Sequence, residues 1–108
     1  MTKALKITTA GAISIVDVNE LEDYQREVGG DIQAVPVSDT YTMVLDEEGK
    51  LKGAASNPIA TLLRTHLAPA DIIVGDALIV RSADDITGDW GDIDEVAERQ
   101  IRALGALL

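Results

Sequence analysis

The sequence predicts an α+β fold: a small antiparallel-rich sheet with about three helices packed on it. Three observations carry this. Short segments in which apolar and polar residues alternate recur between turn residues, and three longer segments repeat their apolar residues at helical spacing. The length, 108 residues, is enough for one hydrophobic core and no more, so residues 1–108 read as a single domain.

The elements follow in chain order. Lys3 to Thr9 and Ala12 to Val18 alternate around Gly11, with Leu5 and Ile7 on one face of the first segment and Ile13 and Ile15 on one face of the second, which predicts an N-terminal hairpin. Asp17 or Asn19 fits the start of a helix over 19–28, since Glu20 and Glu22 stand three residues after them. Leu21, Tyr24, Gln25 and Val28 form its stripe, and Gly29-Gly30 closes it. A strand is expected over 31–37, with Pro36 placing it at a sheet edge or strand end. Tyr41 to Asp46 is the next, and the polar turn Asp46-Glu47-Glu48-Gly49-Lys50 leads to Leu51 to Gly53 as its returning partner, a hairpin over 41–53.

Ser56-Asn57-Pro58 joins a capping side chain to a proline at the first helical position. The helix is expected over 57–67, with Ile59, Leu62, Leu63 and Leu67 on one face and Pro69 beyond its end. Gly75-Asp76 reads as a turn or bulge feeding a buried strand over 77–81. A loop over 84–91 precedes a last helix over 92–106, capped by Asp92 with Glu95 three residues on, its stripe being Ile93, Val96, Ala97, Ile101 and Leu104.

Charge narrows the classes of function. Nineteen acids against nine lysines and arginines give a formal charge of −10, so direct binding to nucleic acid phosphates would work against the field of the protein. The acids cluster: six lie between Asp17 and Asp31 against Arg26 alone, and seven lie between Asp84 and Glu98 with no basic residue. Cysteine is absent, which excludes disulfides, thiolate nucleophiles and cysteine-ligated metals. No apolar run approaches the ~20 residues that span a bilayer, and the N-terminus makes a poor signal peptide, so no membrane contact and a cytoplasmic location are expected, that of a host cell if the gene is phage-borne.

No constellation of residues calls for a particular reaction. His66, the lone histidine, sits near a helix end where it complements the dipole, and nothing places Ser56, Thr61 or Thr65 beside it as a nucleophile. Asp84, Asp85, Asp89, Asp92, Asp94 and Glu95 supply oxygen ligands in number, yet in no register do they match a calcium-binding loop. The expectation is therefore no enzyme, no cofactor and no metal.

Three segments resemble a family of small uncharacterised proteins, a domain of unknown function found in bacteriophage, mobile-element and bacterial genomes. They are Leu21 to Ile32, with Gln25, Val28, Gly29 and Gly30 in a Gln-x-x-Val-Gly-Gly pattern; Asp46 to Leu51, with a Glu-Gly-Lys turn followed by Asn57; and Asp71 to Val80, with an Asp-x-Ile-x-Gly pattern. The chain departs from the family pattern at Asp31 and Asp46. The resemblance implies a phage or mobile-element setting and carries no catalytic residues.

Small size, an acidic surface and this resemblance point to an accessory protein that binds a host protein with a basic surface and inhibits a host process or defence. The residues expected to meet that partner are Asp84, Asp85, Asp89, Trp90 and Asp94. Leu107 and Leu108 form an apolar end suited to a homodimer. The alternative is an oligomer that binds or sequesters a small metabolite or nucleotide signal. Trp90 is expected either to fold back onto the core or to stand out as an anchor.

Overall fold

A computed structural model describes residues 1–108. Strands β1 (Thr2–Ile7) and β2 (Ile13–Val18) form the N-terminal hairpin and lead to helix α1 (Leu21–Val28). Strands β3 (Ile32–Pro36) and β4 (Tyr41–Asp46) follow, then α2 (Pro58–Arg64), β5 (Ala77–Arg81) and α3 (Glu95–Ala106). The five strands make one sheet in the order β2-β1-β5-β4-β3, with every pairing antiparallel. This is the expected α+β class.

Strand alternation divides the core in two. Leu5, Ile7, Met43, Leu45, Ala77 and Ile79 point to one face, where Ile59 and Ala60 of α2 and Ala97 and Ile101 of α3 cover them. Ala4, Val18, Val44, Leu78 and Val80 point to the other, beneath Tyr24 and Val28 of α1. The sheet is thus sandwiched between helices. β5 sits at its centre, so both of its faces are buried, which explains why Ala77-Leu78-Ile79-Val80 is a continuous apolar run instead of an alternating one.

Several expectations need correction. Leu51 to Gly53 is not a returning strand; residues 47–53 wind through successive turns, with the Lys52 N–H donating to Glu48 and the Ala54 N–H to Gly49, both at 3.0 Å. The inner edge of β4 is occupied by β5, from Tyr41 opposite Arg81 to Val44 opposite Leu78, so a local hairpin partner has no place. Neither Asp17 nor Asn19 caps α1. Glu20 does, in a reciprocal box with Asp23, whose carboxylate accepts from the N–H groups of Asn19 (2.8 Å) and Glu20 (3.0 Å), while Asp17 is engaged across the hairpin by Lys3.

The last helix is likewise capped by Asp94, which accepts from the Ala97 N–H at 2.8 Å, and not by Asp92. The start of β1 holds Asp92 extended: the Lys3 N–H donates to its carboxylate, and Ile93 donates to the Lys3 carbonyl. Three apolar stripes are narrower than expected. Leu21, Leu62, Leu67 and Val96 face solvent, and because α2 stops at Arg64, the turn over 65–67 carries Leu67 outward. Asn57 caps α2 as expected, its side chain accepting from the Ala60 N–H.

Candidate functional site

The acidic loop over 84–91 stands beyond the C-terminal end of β5, tied to it by paired hydrogen bonds between Arg81 and Gly91. Asp84 turns its carboxylate back to accept from the N–H groups of Ile86 (2.7 Å) and Thr87 (3.2 Å), which tightens the tip. That tip presents Ile86, 94% exposed, with Asp84, Asp85 and Asp89 also exposed around it. None of these three acids belongs to an ion pair.

Trp90 is half-buried and does not stand as a free anchor. Its ring meets Tyr24 edge-on with centroids 5.1 Å apart, joining the loop to α1. Thr2, Asn19, Tyr24, Gly88, Asp89 and Trp90 outline an open depression of about 550 Å³ beside it. Burial pushes the Tyr24 phenol up, and the nearby carboxylates of Asp23 and Asp89 add to the effect.

Asp94 belongs to the fold and not to this surface. The Tyr41 phenol and Arg81 both donate to its carboxylate, besides the Ala97 N–H, and together they hold it below the usual carboxylate range. The same hydrogen bond pushes the Tyr41 phenol up. Leu107 and Leu108 are exposed at the end of α3, where Leu108 edges a groove with Pro58, Ile59 and Gly105. His66 is exposed in the turn after α2, and no hydrogen bond joins it to Ser56, Thr61 or Thr65. No group of three or more histidine, aspartate or glutamate side chains is arranged to hold a metal ion.

Beside β3 lies a second feature, a cleft of about 300 Å³ that sequence reasoning missed. Its walls include Val35, Leu45 and Ile73 on the apolar side and Arg64, Lys50, Asp71 and Glu47 on the polar side. Arg64 is only 9% exposed; its Nε donates to the Pro36 carbonyl at 2.8 Å and its Nη1 to Asp71 at 3.1 Å. Lys50 reaches the other Asp71 oxygen at 2.8 Å, and these two cations keep the Asp71 carboxyl below its ordinary range. At the rim stand Leu51, 88% exposed, and Ile72, 57% exposed.

A family model described as "Domain of unknown function (DUF3846)" matches residues 1–105. The chain belongs to this family. No curated protein and no solved structure matches it. In this DUF3846 domain the three segments that carry the resemblance meet at the turn after β4. Lys52 donates to the Gly29 carbonyl (3.1 Å) and pairs with Asp46 (2.9 Å), so tightly against Gly30 that a Cβ there would lie 2.6 Å from the Lys52 ammonium. Lys50 ties the same turn to Asp71.

Asn57, fully buried, completes this junction in the DUF3846 domain by donating to the carbonyls of Ile7 (2.9 Å) and Gly75 (3.0 Å) while it caps α2. These motif residues therefore hold the sheet, α2 and the turn together. No helix of the domain is long and apolar enough to cross a membrane.

Proposed function

We propose that the protein is a non-enzymatic accessory protein that binds a partner protein through a basic surface on that partner, in a phage or mobile-element setting where binding inhibits a host process or defence. The distribution of charge supports this reading. Of the nine basic residues, eight are engaged in ion pairs with eight acids, and Arg99 alone is unengaged. Eleven carboxylates are left unpaired against Arg99, so the charge not neutralised by an ion pair is almost all negative. Such a field speeds encounter with a cationic surface and repels anions.

The observation that carries the proposal is Ile86, 94% exposed and ringed by Asp84, Asp85 and Asp89. An isoleucine so exposed gains about 1.5–3 kcal/mol when buried against a partner, while the surrounding acids set the sign of the surface it can meet. The test is affinity capture from host extract with the intact chain and with Asp84→Asn, Asp85→Asn and Asp89→Asn combined. The expected result is a basic protein that the intact chain retains and that both the triple variant and added salt release. Equal capture by the two chains at low salt contradicts the proposal.

A further inference from the structure

We infer that the outer edge of β3 is a second docking site, which takes an extended, basic segment of a partner chain as an added sixth strand. This goes beyond the loop-centred reading and stands without it. β3 closes one side of the sheet, so only one of its two edges is paired. The Val37 N–H donates to the Tyr41 carbonyl and the Glu47 N–H to the Asp31 carbonyl. In an antiparallel ladder these bonds alternate, so Gln33 and Val35 also pair toward β4, and the N–H and C=O groups of Ile32 and Ala34 point outward. Pro36 occupies the next outward position, where its missing N–H is no loss, and Arg64 already fills its carbonyl. An added strand therefore has a defined stopping point.

Three features identify the occupant. First, the cleft flanks this edge, with Gln33 and Val35 of β3 in its wall and exposed Leu51 and Ile72 at its rim, so alternate residues of an added strand would find an apolar berth. Second, Lys50, Lys52 and Arg64 are each paired with Asp71 or Asp46, whereas Asp31 and Glu47, at the start of β3 and in the cleft wall, have no ion-pair partner. The charge left for an incoming chain is negative. Third, a second copy of this protein would bring a further −10 of charge to the same edge, which opposes self-pairing. The opposite edge, on β2, shows no matching cleft at its centre, and Arg102 donates to its Ile13 carbonyl at 3.0 Å. The occupant that fits β3 alternates basic and apolar residues and has a free main chain.

The probe is a short end-blocked peptide alternating lysine and valine, added to the full chain and followed by amide hydrogen exchange and titration calorimetry. Exchange at Ile32 and Ala34 should slow on binding. Ala34→Pro removes an outward donor but no bond to β4, and should weaken binding about tenfold with the circular dichroism unchanged. The same peptide N-methylated at alternate residues should not bind, which gives a control that needs no protein variant. The triple asparagine variant of the loop should bind within about twofold of the intact chain, separating this site from the loop. Unaltered exchange at the two amides, full binding of the N-methylated peptide, or equal binding of a glutamate-valine peptide overturns the proposal. Protection of the two amides that grows with protein concentration alone overturns it in favour of a second copy.

Discussion

Arg64 and Pro36 are joined across 28 residues by a hydrogen bond of 2.8 Å, from a guanidinium Nε to the carbonyl of an edge strand. The same guanidinium reaches Asp71, so one side chain links α2, β3 and the segment that leads to β5. The opposite edge has a counterpart in Arg102, which reaches from α3 to the Ile13 carbonyl. Each edge of the sheet thus has one outward carbonyl occupied by a helix-borne arginine, a device that limits uncontrolled strand pairing.

Replacing Arg64 by methionine keeps the aliphatic bulk but leaves the Pro36 carbonyl without its donor and Asp71 with Lys50 alone. A loss of about 1–3 kcal/mol is expected in urea unfolding. Arg64→Lys should recover little of it, because a single ammonium lacks the fork that serves both acceptors at once. Full stability of the methionine variant would show that the link contributes nothing.

Asn57 should be the least replaceable polar residue. Alanine in its place removes the cap of α2, leaves the Gly75 carbonyl without its side-chain donor and takes from the Ile7 carbonyl the second donor it has beside the β5 ladder, for an expected cost of about 2–4 kcal/mol. An aspartate at this position would still accept from Ala60 but would turn a buried charge toward two carbonyls, so Asn57→Asp should be at least as damaging as Asn57→Ala. Thermal unfolding of the two variants decides the order.

Much of this junction is legible in the sequence, and part is not. Asn57-Pro58 announces a helix start because both residues act on their immediate neighbours, and the strand alternation exposes the sheet for the same reason. Local spacing places the cap of α3 two residues early, at Asp92 with Glu95, whereas the fold extends Asp92 along β1 through contacts 89 residues away. The cleft is illegible for a similar reason. Arg64 looks like a basic residue at a helix end, and only the return of Pro36 and Asp71 buries it. The exposed Ile86 gives no sign either, since one isoleucine between acids has no periodicity to read.

Gly29 ends α1 with φ of +92°, a conformation that costs other residues, while nothing lies within 4 Å of the place its Cβ would occupy. Gly29→Val should therefore lose about 1 kcal/mol or more through the backbone alone, without a clash. An unchanged melting temperature would mean that the left-handed position is not needed.

Acid should weaken the first helix. The N–H groups of Glu20 and Asn19 and the Arg26 guanidinium bring the Asp23 carboxyl from 3.8 down to about 2. A group whose folded value is depressed stabilises the fold above its unfolded value and loses that contribution as pH falls from about 3.8 toward about 2. Asp46, Asp71 and Asp94 are lowered as well and act in the same direction. The urea midpoint should fall across this window, and Asp23→Asn should show a shallower fall than the intact chain. Identical pH profiles would contradict the assignment.

The most direct test of the binding proposal places a photoreactive amino acid at position 86 of the otherwise intact chain, with a control at 107, followed by irradiation in the host cell. One discrete adduct is expected from position 86 to a protein with a basic surface, lost when Asp84, Asp85 and Asp89 are changed to asparagine and absent from the position 107 control. No adduct at position 86, or adducts there that persist in the triple variant, would contradict it.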